Sequence, residues 1–253
     1  MNDNVPDYER LDQLIASIRQ VGVTRMQMIV GIDYSKSNEW TGERSYGHKL
    51  HDLSVSETPY EKVIRIMSLV VHEFDEDDIY PVYRFGCVNT RGSSVLPLMY
   101  PSQEDPHFAG FDGVCTAYRQ ITPHIRMSGP TTFGPLIAQA IEISKVCPGQ
   151  MFILLILTDG DVVDVELDMK MIAEASTHPI VIVAVGLGDG PFEKMDQLAN
   201  TPNRRFSNFT FVNFTALESS FVRCEYPELI LAAHLFKNLP KQFLCMKKLG
   251  ICG

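Results

Sequence analysis

The chain has 253 residues, 45% of them hydrophobic and 21% charged, with a net charge of -9 and a pI near 5.2. That is enough apolar content to bury a sizeable core, and at this length an α/β fold can still form one domain. The acidic balance repels a phosphate backbone, and the basic runs "NRRF" and "KK" are too short to make a local basic patch. Nucleic acids and anionic membrane surfaces are therefore disfavoured as partners.

The start, "MNDNVPDYERLD", has neither the basic nor the apolar stretch of a signal peptide, and its second residue is Asn rather than the Gly that myristoylation requires. No apolar run is long enough to span a bilayer, so direct membrane insertion is not expected. Cys87, Cys115, Cys147, Cys224, Cys245 and Cys252 form no C-x-x-C pair, which argues against a zinc knuckle or redox motif. Free thiols fit a reducing compartment. The expected location is the cytoplasm, with the nucleus or the periphery of a membrane as alternatives.

In chain order, "ERLDQLIASIRQVGV" places Leu11, Leu14, Ile15 and Ile18 on one helical stripe. "MQMIVGID" is too short for a core helix and apolar enough for a strand buried on both faces. "PYEKVIRIMSLVVHEF" reads as a helix with Pro59 in its first turn, "IYPVYRFG" as a strand, and "SSVLPLM" as a short edge strand where proline is tolerated. "FDGVCTAYRQITPHI" reads as a weaker helix, and after the turn signal "SGP" the segment "TTFGPLIAQAIEISKVC" has a helical period at Leu136, Ile137, Ala140, Ile141 and Ile143. "MFILLILTDGD" is the most apolar strand. "DVELDMKMIAEAS" is a helix, "HPIVIVAVGLGDG" a strand, "FTFVNF" a last strand and "YPELILAAHLFKNL" a closing helix.

Helices alternating with wholly apolar strands imply a doubly wound, Rossmann-like α/β fold. Six strands are expected in a mainly parallel sheet, with one antiparallel edge strand and helices on both faces. There is no internal repeat or Gly/Ser-rich linker, so residues 1–253 read as a single domain, with 1–25 as an N-terminal helix and lead-in.

In such a sheet, functional groups gather where loops leave the carboxyl ends of the strands. Three loops qualify: "DYSKSN", "SGPTTFGP" and "TDGD". They offer Asp33, Ser35, Ser37, Thr131 and Asp159, hard oxygen donors that suit Mg²⁺, with Mn²⁺ or Ca²⁺ as alternatives. Alternate residues of an extended segment point the same way, which lets Asp33, Ser35 and Ser37 converge. An isolated D-x-S-x-S equally serves as a turn or helix cap; the coincidence of three oxygen-rich loops at strand-to-helix junctions favours a metal.

This arrangement resembles the metal-ion-dependent adhesion site of von Willebrand factor A domains. The segments "GIDYSKSNEWTG", "TPYEKVI", "FDEDDIYPVYRFG", "SGPTTFGPLI", "ILTDGDV", "VGLGDGPFEKMDQL" and "FSNFTFVNFT" resemble consecutive landmarks of the copine-type A domain, in family order. "SNEWTG" and "FDEDD" are similar to plant copine-like proteins that carry a RING finger and act as ubiquitin ligases. After "LAAHLFKNLP" only "KQFLCMKKLGICG" remains, too short for a RING, and no space precedes Asp33 for the paired C2 domains of animal copines. The resemblance implies that Ser35 and Ser37 bind the metal directly, Thr131 directly or through water, and Asp33 and Asp159 often through water. One coordination position would be left for a carboxylate on a protein partner. Tyr34-Ser35 stands where the family usually has Phe-Thr, and the hydroxyl survives.

The parts of an enzyme are missing. Ser35 stands where an aspartyl phosphotransferase needs a second carboxylate, and no G-x-S-x-G elbow, phosphate loop or H-E-x-x-H is present. "GLGDGP" misses dinucleotide-binding spacing, and its Pro191 fits a helix start. "GHKLH" reads as a solvated loop with His48 and His51, and "FDEDD" as a solvated turn, a second cation site being its alternative. Trp40, beside the proposed metal, is a candidate partner anchor, the alternative being that it packs over a neighbouring helix. The expected function is non-catalytic, metal-dependent protein binding. Alternatives are an adaptor role among ubiquitin-pathway components, and copine-like calcium-dependent association with membranes.

Overall fold

The computed structural model describes residues 8–160, 162–221 and 225–252. Its elements in chain order are α1 (Leu11–Gln20), β1 (Met26–Asp33), α2 (Pro59–Val71), β2 (Ile79–Phe85), β3 (Leu96–Pro97), β4 (His107–Ala109), α3 (Gly110–Ile121) and α4 (Gly134–Val146). Then come β5 (Met151–Thr158), α5 (Val165–Ala175), β6 (Ile180–Gly186), α6 (Met195–Ala199), β7 (Phe209–Asn213), α7 (Phe214–Phe221), α8 (Pro227–Phe236) and α9 (Leu239–Lys248).

The sheet runs β3-β2-β1-β5-β6-β7, with β4 also paired to β2. β2, β1, β5, β6 and β7 are mutually parallel, whereas β3 and β4 are antiparallel to β2. The α/β doubly wound fold is therefore as expected, but among the described residues the sheet has seven strands, two of them short and antiparallel. β4 escaped the sequence reading because "HFA" is three residues long and too short to show alternation. Two further helices also went unread. α7 follows β7 with no turn signal between them, and α9 lies in "LPKQFLCMKK", whose polar residues dilute its apolar face.

The core divides by strand pleat. Along β5, Ile153, Leu155 and Leu157 pack with α1, α2, α3, α8 and α9, while Phe152, Leu154 and Ile156 pack with α4, α5 and α6. Successive side chains of a strand point to opposite faces, so an apolar residue at every position is what a sheet covered on both sides needs. α2 begins with a complete capping box. The Thr58 hydroxyl accepts from the Glu61 amide and the Glu61 carboxylate accepts from the Thr58 amide, with Pro59 in the first turn. No helix among the described residues is long and apolar enough to cross a membrane.

The chain passes from β1 outward to β2 on one side and returns to β5 on the other. The crevice outside the carboxyl ends of β1 and β5 is thus the topological switch point, and Asp33 and Thr158–Asp159 leave the sheet side by side there.

Candidate metal centre

Asp33 ends β1 fully buried. Its Oδ1 accepts the Ser35 amide at 2.7 Å and its Oδ2 accepts the Thr158 hydroxyl at 2.8 Å. This Asx-type bond folds the chain back so that Ser35 and Ser37 face Asp159. Both serine hydroxyls donate to Asp159 Oδ1 at 3.0 Å and lie 3.1 Å from one another. Gly86 makes this turn possible from the neighbouring strand. It has φ +72°, and a Cβ there would stand 2.6 Å from Asp33 Oδ1, so a side chain would collide with the carboxylate.

Asn38 and Tyr60 fix the loop from below. Asn38 Nδ2 donates to the Ser35 carbonyl at 3.1 Å, and the Tyr60 hydroxyl donates to Asn38 Oδ1 at 2.7 Å. His51, expected in a solvated loop, is instead buried, stacked between Tyr34 (4.5 Å between ring centroids) and Tyr60 (4.3 Å). Its Nε2 lies 2.9 Å from the Asp33 carbonyl and its Nδ1 2.7 Å from the Tyr118 hydroxyl. Burial pushes its pKa down to about 3, so the ring is neutral. A carbonyl only accepts, so Nε2 carries the proton and the Tyr118 hydroxyl donates to Nδ1. His48 is only partly buried.

The third loop is aligned by backbone. The Lys36 amide donates to the Ser128 carbonyl, and the Ser128 amide to the carbonyls of Tyr34 (3.3 Å) and Gly86 (3.1 Å). Further on, the Thr131 carbonyl accepts the Val163 amide at 2.9 Å, which ties this loop to the one after β5. Asp168 on α5 then caps α4. Its Oδ1 accepts the Thr132 hydroxyl (2.7 Å) and the amides of Phe133 (2.9 Å) and Gly134 (2.6 Å). Thr131 is buried. Its hydroxyl makes no hydrogen bond to the serine–Asp159 cluster among the described residues, so four of the five expected residues are joined through side-chain bonds, whereas Thr131 is tied only to Val163, through its backbone.

One residue went unread in the sequence. The Thr41 hydroxyl lies 2.6 Å from Asp159 Oδ2, engaging the oxygen that the serines leave. Its only sequence signal is a hydroxyl four residues past Ser37 in a loop. Trp40, next to it, is 52% exposed. In "GLGDGP", Pro191 does not begin a helix; α6 starts at Met195. Asp75–Asp78 form an irregular bend before β2, and among the described residues no three His, Cys, Asp or Glu side chains converge as metal ligands. The thiols of Cys87, Cys115, Cys147, Cys245 and Cys252 are free, and Cys224 lies outside the described residues.

Electrostatically the centre is marked by two buried carboxylates, Asp33 and Asp159. Burial first, and the nearby Asp159 charge second, push the Asp33 carboxyl up to about 7. Burial also pushes Asp159 upward, against the hydrogen bonds from Thr41, Ser37 and Ser35. Two buried acids side by side are costly to ionise together, and a hard dication among them would offset both charges.

The sequence profile described as Copine matches residues 48–252. The chain belongs to the copine family. Among relatives of this copine-family chain, the E3 ubiquitin-protein ligase RGLG3 of Arabidopsis thaliana is 40% identical over 93% of this chain and 67% of its own length. RGLG5, an E3 ubiquitin-protein ligase of the same plant, is 37% identical over 98% of this chain and 60% of its own. Copine family protein 1 of Caenorhabditis elegans is 34% identical over 95% of this chain and 22% of its own. The chain therefore spans about half to two thirds of the length of the Arabidopsis relatives it matches.

Among solved structures, proximal thread matrix protein 1 from the mussel byssus, with a zinc-occupied MIDAS motif, aligns with a TM-score of 0.51 and 16% identity over 83% of this chain and 48% of its own. The D319A mutant of the PilB minor pilin of Streptococcus sanguinis aligns with a TM-score of 0.53 and 13% identity over 88% of this chain and 62% of its own. At such identities the likeness concerns the fold alone.

Proposed function

We propose that this copine-family chain is a non-catalytic, divalent-metal-dependent protein-binding module in which Asp33, Ser35, Ser37, Thr131 and Asp159 hold Mg²⁺. Mn²⁺ and Ca²⁺ are the alternative ions. The observation that carries the reading is the meeting of two buried carboxylates and two serine hydroxyls at the switch point, with Ser35 and Ser37 both 3.0 Å from Asp159 Oδ1. This is an all-oxygen donor set of the kind hard cations take. The zinc-occupied motif named for the mussel protein supports a divalent ion in this fold.

When bound, the ion supplies a positive centre able to accept a carboxylate from a partner protein. The chain's own part is to position and desolvate it. Asn38, Tyr60 and His51 hold the serine loop in place, and Asp33 orders the turn through the Ser35 amide. Around the rim stand exposed apolar side chains, Trp40 (52%), Val163 (63%) and Leu167 (36%). Such groups suit a partner that brings its acid on an otherwise apolar segment.

The test is capture from cell lysate in Mg²⁺ and in chelator, with Ser35→Ala/Ser37→Ala as control. A partner retained only by the wild-type chain in Mg²⁺ is expected; equal retention in all samples would refute the reading. A second reading, participation in ubiquitin ligation, is favoured by the Arabidopsis relatives named as E3 ligases. Incubation with E1, E2 and this chain tests it. The adaptor role predicts no ubiquitin chains unless another E3 is added.

A further inference from the structure

The two oxygens of Asp159 have different partners. Oδ1 takes both serine hydroxyls, whereas Oδ2 is held by the Thr41 hydroxyl at 2.6 Å. Thr41 is 5% exposed, and its own backbone is pinned at both ends. Its amide donates to the Ser37 carbonyl at 3.0 Å, and its carbonyl accepts the Asp189 amide at 2.6 Å. The loop after β6 comes this close because residue 188 is glycine. It has φ +81°, and a Cβ would stand 2.4 Å from the Thr41 carbonyl oxygen. The Gly188 amide is anchored in turn on the Thr215 hydroxyl at 2.7 Å. The Thr41 hydroxyl also lies 3.0 Å from the Ser37 carbonyl, but it has one proton, and the carboxylate is the closer and charged acceptor.

We propose that Thr41 is a positioning residue that sets which divalent ion the centre prefers, by occupying Asp159 Oδ2 so that this carboxylate offers a cation one oxygen only. The inference rests on the metal reading above. Mg²⁺ requires near-ideal octahedral geometry, which the narrow bite of a two-oxygen carboxylate does not fit. Ca²⁺ takes six to eight oxygens in flexible geometry and readily accepts bidentate carboxylates. A carboxylate locked on one side therefore handicaps Ca²⁺ more than Mg²⁺. To recruit the second oxygen, Ca²⁺ must displace a short charge-assisted hydrogen bond, which corresponds to about tenfold in affinity.

The experiment is calorimetric titration of the full chain with Mg²⁺ and, separately, Ca²⁺, for wild type, Thr41→Val and Thr41→Ser, with circular dichroism to establish folding. The wild type is expected to prefer Mg²⁺. Thr41→Val should shift the ratio of the two affinities toward Ca²⁺ by about tenfold, and Thr41→Ser, which restores the hydroxyl, should return it. A folded Thr41→Val that keeps the wild-type ratio would overturn the inference and leave the metal reading standing. A folded Thr41→Val that binds neither ion would also overturn it, since the hydroxyl would then be needed to form the centre rather than to choose its ion. Should Thr41→Val fail to fold, the wild-type chain decides alone: Ca²⁺ bound as tightly as Mg²⁺ overturns the inference. A wild type that binds neither ion overturns the metal reading itself.

Discussion

Acidification should destabilise this protein through one buried histidine. His51 is neutral in the folded state, held near pKa 3 by burial between Tyr34 and Tyr60, whereas an unfolded histidine titrates near 6.5. Between those values the unfolded chain binds the extra proton, so stability falls as pH drops. From pH 7 to pH 5 the linkage for this group alone amounts to about 2 kcal/mol. Asp33 runs the other way. Its carboxyl, raised to about 7, lends the metal-free fold stability in acid that is lost as pH rises through that value. The two effects separate by difference. His51→Phe keeps the ring stack and removes the histidine proton, while Asp33 is present in both chains. Urea unfolding of both at pH 7 and pH 5 should show the variant less stable at pH 7, by about 1–3 kcal/mol for the lost bonds to the Asp33 carbonyl and Tyr118 hydroxyl. Its loss on acidification should be smaller than wild type's by about 2 kcal/mol. An identical pH increment in the two chains would refute the neutral buried imidazole.

Mg²⁺ affinity should rise between pH 6 and pH 8, with a proton released on binding, because the raised Asp33 carboxyl must deprotonate to face a cation; calorimetry in buffers of different ionisation enthalpy reads that proton. Arg119→Met should cost about 2 kcal/mol in urea unfolding, since it strips a bidentate partner (2.6 and 2.8 Å) from Glu61, which is only 3% exposed, while Arg119 is itself partly in solvent. Leu155→Ala, in the middle of β5 and fully buried, should cost about 3 kcal/mol without altering Mg²⁺ affinity in the folded protein.

What the sequence revealed follows from the range of its signals. Residues 26–33, 151–158 and 180–186 are apolar at nearly every position, so their burial on both faces, and with it the parallel sheet, could be read locally. The Asp33, Ser35 and Asp159 positions were legible because each loop begins where such a run stops. Thr41 was not, because its role depends on the loop around Gly188 arriving from a distant strand, and nothing near Thr41 encodes that contact. His51 was misread for the same reason. A histidine between Leu50 and Asp52 has no local mark of burial, and its stacking partners, Tyr34 and Tyr60, come from separate elements. β4 was lost to brevity, being three residues long, and α7 because no turn signal separates it from β7.

Calorimetric titration with Mg²⁺, comparing the wild-type chain with Asp33→Ala/Ser35→Ala under conditions where both are folded, probes the centre most directly. The account predicts saturable heat from the wild type and none from the double variant. Equal heats from the two chains would contradict it, because the cation would then be bound somewhere other than the switch point.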